Sequence, residues 1–255
     1  MLSVIPEVAE RLIIALILTN IMVGKGIKEY FNLPEEYFSH RGPTVDLIEE
    51  LEEKWFLNNI KINRQDVVLD FACGLGRWTK KLSPRVRKVY SIDISPKPLS
   101  SLKKQKLENI KIIIGSDEKL IHFKEYFDKI IFAQGLEFYS SPITLLKKLR
   151  YSLKQGGELF ISTWTPVLIK DIRGLKLEKD YVIVPRLIDN KKIEVFCKLR
   201  TKNEVKNLLQ KTGYKKVQVE FLSIDAKSLP MKVKKLFTKK PSGRLNVLVI
   251  AKAIK

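Results

Sequence analysis

The sequence predicts an α/β fold built on a doubly wound, mostly parallel sheet, on the strength of three observations. From residue 67 onward, short apolar runs with strand character alternate with helical patterns. The first run, Val67-Val68-Leu69-Asp70-Phe71, passes through Ala72-Cys73-Gly74-Leu75-Gly76-Arg77, so a strand carrying an acid turns through two glycines into a helix. About twenty residues later, Val89-Tyr90-Ser91-Ile92-Asp93 reads as a second strand ending in an acid, the spacing of a nucleotide-binding βαβ unit.

The elements follow in order. Residues 1–62 read as a helical N-terminal cap. Pro6 suits the start of a helix over 7–23, and Gly24 and Gly26 suit its end. An aromatic loop from Tyr30 to Pro43 contains Tyr37 and His40. Thr44 is placed to cap a second helix, in which Leu47, Leu51, Trp55 and Phe56 recur at helical spacing. Residues 63–255 form the main domain. Its strands are predicted at Val67–Phe71, 88–92, Ile110–Ile114, 129–133 and 158–163, the last after a Gly156-Gly157 turn. Helices are predicted at Arg77–Leu82, Pro96–Lys104 and 143–153, with Leu145, Leu146, Leu149 and Leu153 on one side of the third. An insertion over 165–200 holds two strand-like runs, Tyr181–Ile188 and 193–197, with Asp189-Asn190 as the hairpin turn. Thr201 and Glu204 have capping-box spacing, and the helix they open ends near Thr212-Gly213. Strands at 216–221 and 245–251 close the chain, with a basic loop, 226–244, between them.

With 255 residues and 45% apolar content, the chain can bury a sizeable core. Its two cysteines, Cys73 and Cys197, do not suggest a disulfide framework, and with two histidines and no C-x-x-C or H-x-x-x-H spacing no metal site is expected. A reducing, cytoplasmic setting fits. The N-terminus has no basic n-region or small-residue cleavage site, and its most apolar run, Leu12 to Leu18, is far short of the roughly 20 residues that span a bilayer. Lys and Arg number 48 against 28 Asp and Glu, a net charge of +20. That surplus suits a polyanion such as RNA, or equally the lysine-rich surface typical of thermophile proteins. The 226–244 loop concentrates it in Lys227, Lys232, Lys234, Lys235, Lys239, Lys240 and Arg244. These could contact phosphates or form an ordinary solvated loop, and only Phe237 is available there to stack a base.

The turn reads D-x-x-C-G-x-G-R, not the G-x-G-x-x-G of dinucleotide enzymes. A generic α/β domain needing only a tight turn is one reading. Beyond the turn, Phe127-Asp128-Lys129 through Leu136-Glu137-Phe138 and Leu153-Lys154-Gln155-Gly156-Gly157 add two further signatures. Together, over residues 67–255, these resemble the class I S-adenosylmethionine-dependent methyltransferases, and within them the small-molecule and quinone-pathway members of the type 11 group. The family has His where Phe138 stands and Pro where Gln155 stands. The resemblance implies seven strands with the last antiparallel, and S-adenosyl-L-methionine as cofactor. It makes Asp70, Ala72, Cys73, Gly74, Gly76 and Arg77 cofactor-binding candidates, with Gly74 and Gly76 under the amino-acid end; Cys73 also reads as a small space-filler in the turn, and Arg77 as holding the helix start or a carboxylate. Asp93 and Ile94 fall at the ribose, and Ser116, Asp117 and Glu118 at the adenine, with Asp117 preferred. Gln134 follows the fourth strand, beside the transferred methyl.

Methyl transfer asks a protein chiefly to align nucleophile, methyl and sulfur and to exclude water. Glu137 and Gln134 are the candidate catalytic residues: Glu137 as a proton acceptor or orienting group, or else as a capping carboxylate. His122 falls on the adenine side and His40 in the aromatic loop, and a structural role suits either. Gln134-Gly135-Leu136 offers no N-P-P-Y-like site for an exocyclic base amine. The expected function is methyl transfer to a small, apolar, quinone- or lipid-like acceptor. The alternatives are an RNA methyltransferase using the basic surface, and a non-catalytic RNA-binding protein on the same fold.

Overall fold

The computed structural model describes residues 43–139, 141–166, 176–178, 181–188, 191–235, 237 and 241–255. The predicted helix over 7–23, the aromatic loop with Tyr37 and His40, the Asp189-Asn190 turn, and Lys239 and Lys240 lie outside the described residues. Helix α1 (Pro43–Asn59) leads into β1 (Val67–Phe71), α2 (Arg77–Leu82), β2 (Lys88–Asp93), α3 (Pro96–Lys104) and β3 (Ile110–Ile114). Then come β4 (Phe127–Ala133), α4 (Ile143–Ser152) and β5 (Leu153–Trp164). The insertion carries β6 (Lys176–Glu178), β7 (Tyr181–Ile188) and β8 (Lys191–Lys198), and the chain closes with α5 (Lys202–Lys211), β9 (Lys215–Asp225), α6 (Met231–Lys234) and β10 (Arg244–Ile254).

Seven strands form one sheet in the order β3-β2-β1-β4-β5-β10-β9. The first five are mutually parallel, and β10 runs antiparallel to both β5 and β9. The central strands are apolar on both faces because helices cover both: β1 is buried at every position. On one side Leu145, Leu146 and Leu149 of α4 pack with Leu69, Phe71 and Phe132; on the other, Phe56 of α1 packs with Trp78, Val68 and Phe160. The ring centroids of Phe56 and Trp78 are 5.0 Å apart, so α1 is anchored in the second core.

Several boundaries differ from the sequence expectation. Helix α1 starts at Pro43, which places Thr44 inside it rather than at its cap. Strand β5 starts at Leu153, ahead of the glycines: Leu153 pairs with Phe127 and the register then shifts before Glu158 pairs with Lys129, with Gly156 at φ +74 absorbing the irregularity. β7 and β8 pair antiparallel as expected, but a third strand, β6, adds to β7. Its three residues are too few to show a periodic pattern. The Thr201–Glu204 capping box is formed. Part of the basic loop packs inward: Leu229, Val233 and Phe237 join the core beneath Leu47, Ile48 and Leu51 of α1, so Phe237, 5% exposed, is not available to stack a base.

Candidate functional site

Two buried acids shape the turn after β1. Asp70, 2% exposed, accepts from the backbone N–H and the hydroxyl of Thr79 at 2.8 and 2.7 Å, tying β1 to the first turn of α2. Burial pushes its carboxyl up to about 6, against the Thr79 bonds and the Arg77 charge. Asp93, at the end of β2, accepts from Gly74 N at 2.8 Å and Ser95 N at 2.9 Å, so one carboxylate fixes the glycine turn and the entry to α3. Burial raises its pKa against those bonds. Cys73 N donates to Ile92 O at 3.1 Å, and burial pushes its thiol well up, making it a space-filling residue within the turn.

The backbone of this turn is left-handed at Ala72 (φ 56), Gly74 (φ 52) and Gly76 (φ 70). The two glycines serve different ends. A Cβ on Gly76 would lie 2.6 Å from Leu102 Cδ1, so Gly76 allows α2 and α3 to approach; a Cβ on Gly74 would meet nothing within 4 Å. Gly74 therefore borders open space, as a backbone cradle for a ligand requires.

That space is a cleft of about 230 Å³ at the ends of β1, β2 and β4. The strand order reverses between β1 and β4, and ligands of open α/β sheets bind at such a switch point. Of the residues singled out from sequence, Ala72, Gly74, Asp93, Ile94, Ser116 and Gln134 line this cleft. Asp70, Cys73 and Arg77 line an adjoining cleft instead, and Gly76 lines neither. Asp117 bonds to Lys148 Nζ at 2.7 Å and is absent from the wall, whereas its neighbour Ser116 is on the wall and shares a 3.1 Å hydrogen bond with the Tyr139 hydroxyl. Glu118 folds back to accept from Ser116 N at 3.0 Å. Phe138 and Tyr139 also line the cleft. The Leu-Glu-Phe signature marked their segment, but nothing in it showed which side chains would face inward. His122 is exposed, at the end of the 3₁₀ turn Asp117–His122.

A second, more polar cleft adjoins the first through Ala72, Gly74 and Gln134. Its outer wall carries Asp46, Glu49, Glu50 and Glu53 of α1 facing Arg77, Lys80 and Lys81 of α2. Gln134, at the junction, has a left-handed backbone (φ 50), an uncommon conformation for a residue with a side chain.

Glu137 lies behind the junction and lines neither cleft. It is 2% exposed, accepts from Thr163 Oγ1 at 3.1 Å, and burial pushes its carboxyl up to about 7. Arg200, also 2% exposed, bonds to the carbonyls of Leu136, at 2.8 Å, and Tyr139, holding the segment after β4 in place. Sequence reading missed Arg200 and Glu52. Glu52 is wholly buried, with Arg77, Ser162 and Gln134 as partners.

Residues 69–161 match the family model described as a methyltransferase domain. A protein of Methanococcus maripaludis strain C6, named "Probable cobalt-precorrin-6B C(15)-methyltransferase (decarboxylating)", is 30% identical over 139 residues, covering 53% of this chain and 75% of that one. The chain belongs to the class I S-adenosylmethionine-dependent methyltransferases. The methyltransferase also resembles a Methanosarcina acetivorans protein named "Probable ribosomal RNA small subunit methyltransferase A", at 34% identity over 98 residues, 38% of this chain and only 35% of that one. Among solved structures, the DhpI-SAM-HEP complex superposes with a TM-score of 0.65 at 16% identity, over 92% of this methyltransferase and 98% of that chain, a likeness of fold. The two sequence relatives are named for different acceptors, so family membership fixes the cofactor class and leaves the acceptor open.

Proposed function

We propose that this protein transfers the methyl group of S-adenosylmethionine to a small molecule by direct in-line displacement. The observation that carries the cofactor half is the Gly74–Asp93 pairing at the switch point, with open space where a Gly74 Cβ would stand. When bound, the cofactor supplies an activated methyl group. Gly74 and Ala72 would lie under its amino-acid end. Asp93, with two oxygens already ordered by backbone N–H groups, would accept from the ribose diol beside Ile94. Ser116 would stand at the adenine in place of Asp117, whose carboxylate is paired with Lys148. Gln134 would border the reacting centre. Glu137 would act from behind it as a positioning group through Thr163, with no direct contact to substrate.

The cobalt-precorrin relative, matched over 75% of its length, supports a small acceptor over RNA, because the ribosomal RNA relative is matched over only 35% of its own. The second cleft is mixed in charge: Asp46, Glu49, Glu50 and Glu53 face Arg77, Lys80 and Lys81, with Glu53 paired to Lys81 at 2.6 Å. The apolar character expected of the acceptor rests on the apolar N-terminal helix and the aromatic loop, which lie outside the described residues. The net charge of +20 favours the second reading, an RNA methyltransferase with phosphates on the outer surface through residues such as Lys227, Lys235 and Arg244. Among the described residues, no helix is long and apolar enough to cross a membrane. The cytoplasm is the proposed setting.

Release of S-adenosylhomocysteine from S-adenosylmethionine, measured with quinols, phenols and amines and separately with total tRNA and rRNA, tests the acceptor. Turnover with a small molecule and none with RNA is expected. RNA-dependent turnover that falls steeply with salt would replace the small-molecule reading with the RNA one.

A further inference from the structure

We infer that Glu52 is a positioning residue that fixes the Gln134 side-chain amide, so that its carbonyl oxygen is the pole offered at the junction of the two clefts, selecting a methyl acceptor that brings a hydroxyl or N–H donor. The inference rests on the methyltransferase reading of this site and adds to it the chemistry of the acceptor head group.

Glu52 comes from the middle of α1, in the run Glu49-Glu50-Leu51-Glu52-Glu53, yet it is 0% exposed. Arg77 Nη2 and Ser162 Oγ donate to its carboxylate, and Gln134 Nε2 donates to Oε1 at 3.3 Å. An ionised carboxylate accepts and cannot donate, so it can be satisfied by the NH₂ pole of the amide and not by the carbonyl pole. The rest of Gln134 is held too. Its backbone N–H donates to Ser162 Oγ at 2.9 Å and to Ser162 O at 3.1 Å, and its φ is 50°. Ser162 therefore gives its proton to Glu52 and its lone pair to Gln134, so each hydrogen bond in the chain has one direction. A flip of the amide would set its carbonyl against the carboxylate and break the chain.

Among the described residues, Gln134 Oε1 makes no hydrogen bond, and Gln134 lines both clefts. The pole left over is an uncharged acceptor. It suits an O–H or N–H nucleophile, whose proton it can hold while the lone pair faces the methyl group. A carbon or thioether nucleophile has nothing to give it.

Two measurements test this. In the apo protein, the Gln134 side-chain NH₂ resonances, assigned with Gln134→Leu, are expected to show one hydrogen-bonded proton with slowed exchange in wild type. That signature should be lost in Glu52→Gln, which can pair with either pole. In the protein saturated with S-adenosylhomocysteine, phenol and aniline are expected to bind about fivefold more tightly than anisole and N,N-dimethylaniline. That preference should vanish in Gln134→Leu and shrink in Glu52→Gln. An amide signature unchanged by Glu52→Gln, or a donor preference that is absent in wild type or persists in Gln134→Leu, would overturn the inference. Should Glu52→Gln fail to fold, the Gln134→Leu comparison decides alone. If wild type fails to bind S-adenosylmethionine at all, the methyltransferase reading falls instead, and the apo amide measurement still stands on its own.

Discussion

Asp70, Asp93 and Glu137 are three buried carboxyls whose pKa values are all raised by burial, but their surroundings set them to different tasks. Asp70 holds Thr79, Asp93 holds Gly74 and Ser95, and Glu137 holds Thr163. Glu137 moves furthest in the value given, from an ordinary 4.5 to about 7, because burial outweighs the Thr163 hydrogen bond and the Arg200 charge that oppose it. The consequence for stability follows from proton counting. Between about pH 4.5 and about pH 7 the folded state holds a proton on Glu137 that the unfolded state has lost, so stability falls as pH rises through that window. The contribution is about 3 kcal/mol at full separation of the two values. Asp70 adds to the fall over its own range, from 3.8 to about 6. Urea denaturation of Glu137→Gln across this window should show a flatter pH dependence than wild type and a more stable protein at the alkaline end. An unchanged slope would mean that Glu137 is ionised in the fold. The acids of the turn were legible in the sequence because each ends or sits within an apolar strand run. Glu52 and Arg200 were not. Glu52 stands in an acidic run that reads as a solvated helix face, and its burial depends on Arg77 and Ser162, 25 and 110 residues away along the chain.

The elements around the site divide its work between fold and ligand, and the two turn glycines show the division. Gly76→Ala must place a methyl 2.6 Å from Leu102 Cδ1 at φ +70, and should cost about 1–3 kcal/mol in denaturant unfolding. Gly74→Ala meets no atom within 4 Å, so its cost to the fold is limited to about 1–2 kcal/mol of left-handed strain, while its methyl occupies the cleft. Titration with S-adenosylmethionine should show Gly74→Ala losing more affinity than stability, and Gly76→Ala the reverse. Equal effects of the two would remove the distinct roles. The central strands and α4 could be placed from sequence because strands buried on both faces are nearly all apolar, and Leu145, Leu146 and Leu149 share the buried side of the helix, though Leu153, expected to continue it, opens β5. The start of β5 and the existence of β6 could not be. The first depends on a register shift against β4, and the second is three residues paired to β7.

At the scale of the molecule, the fold places the proposed cofactor cleft beside a second cleft of mixed charge in a chain of net charge +20. The sequence showed the surplus of lysine, but only the packing of α1 against α2 shows carboxylates set against Arg77, Lys80 and Lys81 beside the proposed site. Part of the basic loop is committed to the core through Leu229, Val233 and Phe237, a use that its lysines concealed. The surplus of lysine on the outer surface predicts that any RNA binding will be salt-sensitive and separable from turnover with small acceptors. All of this depends on the cofactor. Isothermal titration of the full chain with S-adenosylmethionine, alongside Asp93→Ala checked for folding by circular dichroism, tests it most directly. Saturable one-to-one binding by wild type, weakened about tenfold or more when Asp93 is removed, is expected. Folded wild-type protein that gives no binding, or Asp93→Ala that binds undiminished, would contradict it.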